Sequence, residues 1–133
     1  MANVPRHYII RTSWVIGEGK NFVATMQSLA DKGIEPRVVN DQIGRLSFTE
    51  DIVFGIRHLL ESKAPFGTYN LSNDGEATSR ADIAALVFEM TEKQRSSVSG
   101  ITTEEFSAGK PAAQRPANSM LDLTKIKRAG FAP

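Results

Sequence analysis

The chain has no cysteine among its 133 residues. That excludes disulfides, thiolate metal sites and a cysteine nucleophile, and it fits a reducing compartment. Histidine is scarce: His7 and His58 are the only two, and they lack the close spacing that zinc ligation uses. No apolar run approaches the length needed to cross a bilayer, so no membrane partner is expected. The opening "MANVPRHYII" lacks the ordered basic and apolar regions of a signal peptide, and a cytoplasmic location is expected by default. Excess charge of one sign is missing too. Sixteen Lys and Arg face fifteen Asp and Glu, a net charge of +1, which gives no electrostatic case for a nucleic-acid partner. Signatures of catalysis are absent as well. There is no G-x-S-x-G elbow and no P-loop. Neither Tyr8 nor Tyr69 has a lysine four residues on, because Thr12 and Asn73 stand there.

What is present is ordinary globular material, 41% hydrophobic and 23% charged, in a length usual for one domain covering residues 1–133. "HYII" predicts a strand that runs on through Arg11-Thr12-Ser13 and ends near Trp14. Asn21 predicts an N-cap for a helix with Phe22, Met26, Leu29 and Ala30 on one face, closed by Gly33. "PRVVN" reads as a short strand and "DQIGR" as a turn. Ser47 and Glu50 have the spacing of a capping box before a helix bearing Ile52, Ile56, Leu59 and Leu60. "TYNLSN" follows as a strand. Ser79 with Asp82 predicts a cap for a helix carrying Ile83, Leu86, Val87 and Met90. "VSGI" is a brief strand, and Thr102 with Glu105 marks a short helical turn. "SAGKPAAQRPANS" reads as irregular, and Asp122 caps a last helix with Leu123 and Ile126 inward. This alternation predicts an α/β fold, a small sheet with helices. So few strands leave sheet edges bare, and the chain starts inside its first strand pattern. Both features lead us to expect a fragment of a larger protein, with self-association through the exposed edges.

The stretch "RTSWVIGEGKNF" holds the only tryptophan and the pair Gly17 and Gly19. A strand, then G-x-G, then a helix resembles a dinucleotide turn, but that turn needs a small third residue where Phe22 stands. A glycine-rich loop before a capped helix is the simpler reading. Trp14 at a strand's carboxyl end can stack on a sugar or base, or simply pack at the rim. Lys110 and Arg115 are spaced by prolines, and Arg115 can fork onto a phosphate or lie as a solvated loop charge. By spacing alone, packing for Trp14 and solvation for the two cations are the favoured readings.

Three motifs in register, "RTSWVIGEGKNFVATM", "VVNDQIG" and "RPANSMLD", resemble the dTDP-4-dehydrorhamnose reductases, which are extended short-chain dehydrogenase/reductases. The similarity covers nearly the whole chain, and "PRHYIIRTSWVIGEGKNF" is most similar to the reductase half of bifunctional 3,5-epimerase/reductase proteins. The resemblance implies the C-terminal, substrate-binding portion of such an enzyme. The N-terminal Rossmann part, with its cofactor turn and Tyr-x-x-x-Lys pair, would lie upstream. It implies NADPH as the cofactor of the parent protein and a dTDP-sugar as its substrate. By motif, Trp14 is expected against the deoxysugar and Arg115 on the diphosphate. Asn21 and Gln42 are expected near the nucleotide, and Thr12 and Ser13 at the cofactor-facing strand end. No catalytic or metal-binding residue is carried over, and the chain alone is expected to be inactive. A non-catalytic, reductase-like interaction or regulatory module is the alternative. The sequence departs from the family at Ile16, where an aromatic is usual, and at Arg45-Leu46-Ser47, where x-Pro-Thr is usual.

Overall fold

The computed structural model describes residues 3–108 and 114–133. In chain order the elements are β1 (Tyr8–Arg11), β2 (Val15–Ile16), α1 (Phe22–Asp31), β3 (Arg37–Val39), β4 (Ile43–Gly44), β5 (Ser47–Phe48), α2 (Thr49–Glu61), β6 (Gly67–Asn70), β7 (Thr78–Ser79), α3 (Arg80–Met90), β8 (Ser99–Ile101), α4 (Thr103–Ser107) and α5 (Thr124–Arg128). The α/β reading holds. Among the described residues four two-stranded ladders stand in place of one small sheet: β1–β6, β2–β5 and β3–β8 are parallel, and β4–β7 is antiparallel. The chain forms two compact units, one of residues 1–17, 45–76 and 120–133, the other of 18–44 and 77–119.

In the first unit, β1 pairs in parallel with β6 in the register Ile10↔Tyr69, and α2 leads into β6. Its core gathers Leu59, Tyr69, Leu71, Leu123 and Ile126, with Tyr8, Ile10 and Ile52 packed against them. Leu123 and Ile126 point inward as expected. Asp122 is one residue too early to be the N-cap, which is Leu123, although its carboxylate still accepts the Thr124 N–H at 2.9 Å. The helical face expected on α2 is half right. Leu59 is buried and Ile52 packs against the core, whereas Leu60 is 60% exposed and Ile56 38%.

Two further expectations change. The first strand stops at Arg11 rather than near Trp14, because the chain kinks at Trp14, whose φ is 49°. The Ser47–Glu50 capping box does not form. Helix α2 starts at Thr49 with Phe48 as an N-cap that makes no side-chain bond, and Ser47 turns elsewhere.

In the second unit, Met26, Val38, Ala84 and Val87 form the core, with Phe22 and Leu29 beside them. The Asn21 cap is made: its side-chain oxygen accepts the Ala24 N–H at 2.8 Å. At the other end of α1, Gly33 has φ 70°, and the Ile34 N–H returns to the Leu29 carbonyl at 3.0 Å, a Schellman closure. The Ser79 and Thr102 caps also form, accepting the Asp82 and Glu105 N–H groups. On α3, however, Leu86 and Met90 are exposed, and Ala84 and Phe88 are buried in their place. That helix is apolar on every side, so its pattern does not select a face. "DQIGR" is not a simple turn, since Ile43 and Gly44 pair with Ser79 and Thr78. Among the described residues no helix is long and apolar enough to cross a membrane.

Candidate functional site

The six residues expected at a ligand site divide between the two units, three in each. Thr12, Ser13 and Trp14 follow β1 in the first unit, at the carboxyl end where ligands of parallel sheets gather. Thr12 is exposed, and Ser13 and Trp14 are half-buried. A positive φ is uncommon for a non-glycine residue and is worth about 1–3 kcal/mol of local strain. Ser47 restrains the kink from both sides. Its hydroxyl donates to the Ser13 carbonyl at 2.6 Å, and its N–H donates to the Trp14 carbonyl at 3.0 Å. From Ser47 the chain enters β5, which runs parallel to β2 in the register Val15↔Ser47. At Phe48 the N–H donates to Asn73, whose amide donates to Asp51 at 2.7 Å.

Asn21, Gln42 and Arg115 lie in the second unit. Asn21 serves α1 as its cap, and its amide also donates to the Gly19 carbonyl at 3.3 Å. Gln42 is buried, and its amide donates to the Thr103 hydroxyl at 3.2 Å. Beside it the Asp41 carboxylate accepts both the hydroxyl and the N–H of Thr103, and those two bonds, the hydroxyl first, hold its pKa below the ordinary carboxylate value. The "NDQ" turn is thereby fastened to the start of α4. Arg115 is exposed. Its segment is pinned a few residues on, where Ile43 donates to the Ala117 carbonyl at 2.8 Å and accepts from Ser119 at 2.7 Å. Lys110 lies outside the described residues.

Arg80 is the residue that sequence reasoning passed over. It opens α3, and its guanidinium lies 5.2 Å from the centroid of the Phe22 ring. Burial, and after it the positive charge of Arg115, lower its pKa from the ordinary arginine value. It remains a cation, since arginine keeps its proton in proteins. The only available signal was the position of Arg80 just after the Ser79 cap, which the cap itself accounts for. The same unit has an open cleft of about 510 Å³, with Asn40, Thr78 and Asp82 as polar lining and Ile43 and Val98 as apolar lining. No cluster of potential metal ligands occurs among the described residues.

A family model described as RmlD substrate binding domain matches residues 1–133. The spore coat polysaccharide biosynthesis protein SpsK of Bacillus subtilis (strain 168) is 40% identical over 126 residues, which cover 94% of this chain and 42% of that protein. The dTDP-4-dehydrorhamnose reductase of Aggregatibacter actinomycetemcomitans is 36% identical, over 94% of this chain and 45% of that protein. Among solved structures, the dTDP-4-dehydrorhamnose reductase of Bacillus anthracis str. Ames in complex with NADP superposes with a TM-score of 0.82 at 35% identity, covering 93% of this chain and 42% of that one. The chain thus spans less than half the length of the relatives it matches. With its whole length matched by that family's model, the chain belongs to the RmlD substrate-binding domain family.

Proposed function

We propose that the chain is the nucleotide-sugar-binding part of an NADPH-dependent dTDP-4-dehydrorhamnose reductase acting in dTDP-L-rhamnose biosynthesis. The observation that carries this is the likeness to dTDP-4-dehydrorhamnose reductases, sustained over nearly the whole chain at 31–38% identity. By the family resemblance, Trp14 takes the deoxysugar and Arg115 the diphosphate. Asn21 and Gln42 act by shaping the second unit, given their bonds to Ala24 and Thr103.

The parent protein reduces the C4 ketone of dTDP-6-deoxy-L-lyxo-4-hexulose, for which NADPH supplies the hydride. Thr12 and Ser13 suit a role facing that cofactor, as two hydroxyl-bearing residues after the carboxyl end of a parallel strand. The tyrosine that protonates the new alkoxide, and the lysine that tunes it, belong to a Tyr-x-x-x-Lys pair that this sequence lacks. The chain alone neither reduces the ketone nor holds NADPH. Its partner is the Rossmann part of the same protein. The bareness of β1, which pairs only with β6 among the described residues, supports this, as do the exposed Val53 and Leu60 of α2. Without that part, a second copy takes the edge and forms a homodimer.

The test is a calorimetric titration of dTDP-rhamnose into the chain, repeated with Trp14→Ala and Arg115→Ala. Saturable binding weakened by each substitution is expected. No heat, together with tight capture of another protein, would favour the interaction module instead.

A further inference from the structure

The capping-box spacing at Ser47 predicts a local role that the fold does not give it. Helix α2 begins at Thr49 and takes no side-chain cap, and Ser47 is completely buried at 0% exposure. A hydroxyl in that position has to bond within the protein. It bonds across 34 residues to the Ser13 carbonyl, and the N–H of the same residue bonds to the Trp14 carbonyl. The two carbonyls on either side of the Trp14 α-carbon are therefore both fastened to one serine. Between them the backbone has φ 49°, a conformation that a bulky L-residue keeps only when its surroundings impose it.

We propose that Ser47 is a positioning residue for the nucleotide-sugar: its hydroxyl imposes the Ser13–Trp14 kink and thereby fixes the place from which Trp14 meets the ligand. The inference rests on reading Trp14 as the sugar-side contact. It assigns Ser47 no contact with the sugar. Alanine at this position keeps the N–H bond to Trp14 and removes the hydroxyl bond to Ser13. The kink then loses the hydroxyl restraint and relaxes toward negative φ. Threonine keeps the hydroxyl, and cysteine replaces it with a weak donor.

Trp14 is the only tryptophan in the chain, so its fluorescence reports on the kink with no ligand present. The experiment compares the chain with Ser47→Ala, Ser47→Cys and Ser47→Thr. The readouts are the emission maximum and acrylamide quenching of Trp14, and the Kd for dTDP-rhamnose by calorimetry. In Ser47→Ala, the emission and quenching are expected to change and Kd to rise about tenfold, the scale of one buried hydrogen bond. Ser47→Thr is expected to match the parent chain in both. If Ser47→Ala does not fold, Ser47→Cys is expected to shift both readouts in the same direction by less. Unchanged Trp14 emission and quenching in a folded Ser47→Ala or Ser47→Cys chain overturns the proposal, whatever happens to unfolding stability. So does a Ser47→Thr chain as impaired as Ser47→Ala, since volume rather than the hydroxyl would then matter. A parent chain that binds no dTDP-rhamnose, while Ser47→Ala still alters Trp14 emission, overturns the ligand reading and upholds the tie.

Discussion

Gly17 and Gly19 stand two residues apart in one loop, and replacing each by alanine probes a different constraint. Gly19 has φ 86° and open space where a Cβ would go, so its constraint is conformational. Gly17 lies outside the left-handed region, and its constraint is steric. A Cβ built there meets Thr49 at Oγ1 2.5 Å, Cγ2 2.6 Å and Cβ 3.1 Å. Thr49 is the first residue of α2 and is β-branched, so its side chain has little rotamer freedom to withdraw. Two heavy-atom overlaps of this depth belong with over-packing, at about 1–3 kcal/mol. Reduced freedom of the unfolded chain returns about 0.4–1 kcal/mol of that. Gly17→Ala is therefore expected to destabilise by about 1–2 kcal/mol. Thr49→Ala removes the two closest atoms, leaving a contact that needs a shift of only a few tenths of an ångström. In the Thr49→Ala background the cost of Gly17→Ala is expected to fall by about 1 kcal/mol or more, a coupling of the size seen between touching residues. Urea unfolding of the four chains, followed by Trp14 emission and far-ultraviolet circular dichroism, completes the cycle. Equal costs of Gly17→Ala in the two backgrounds would refute the steric account, as would a more stable Gly17→Ala chain.

Two further outcomes follow from the packing and the charges. Leu59→Ala, at a position only 1% exposed in the core of the first unit, is expected to cost about 2–5 kcal/mol by urea unfolding. Acid should destabilise the chain through three carboxylates whose folded pKa lies below the ordinary 3.8. Asp41 is lowered by the Thr103 hydroxyl and then its N–H, Asp74 by Lys127 and then the Gly75 N–H, and Asp122 by the Thr124 hydroxyl and then its N–H. A depressed carboxylate contributes stability above its unfolded value and loses it as pH falls through the folded one. Unfolding measured from neutral pH downward should therefore show stability falling below the carboxylate range, less steeply in Asp41→Asn.

Asn21, Ser79 and Thr102 could be read as caps from the sequence because each bonds an N–H three residues ahead, a contact that local spacing encodes. Ser47 has the same local spacing and a different fate, since its partner lies 34 residues away and only the fold brings it near. The ladders at Val15–Ile16 and Ile43–Gly44 are two residues long, too short for any alternation to register. Arg80 went unread because a cation after a cap looks like surface charge, and its burial and the nearness of Arg115 are tertiary facts. Trp14 was legible as a strand-end aromatic. Its left-handed backbone was not, because the residue itself disfavours that conformation and the restraint lies on another strand. Phe22, the residue that the sequence sets against a dinucleotide turn, is the first residue of α1 and is partly buried against the core of its unit.

We propose that this chain binds a dTDP-sugar with Trp14 against the sugar. The most direct measurement is a fluorescence titration of its single tryptophan with dTDP-rhamnose. A saturable change in Trp14 emission is expected, reversed by competing dTDP and weakened in Arg115→Ala. Emission that stays constant up to millimolar ligand, on the order of the weakest affinities counted as specific binding, would contradict it.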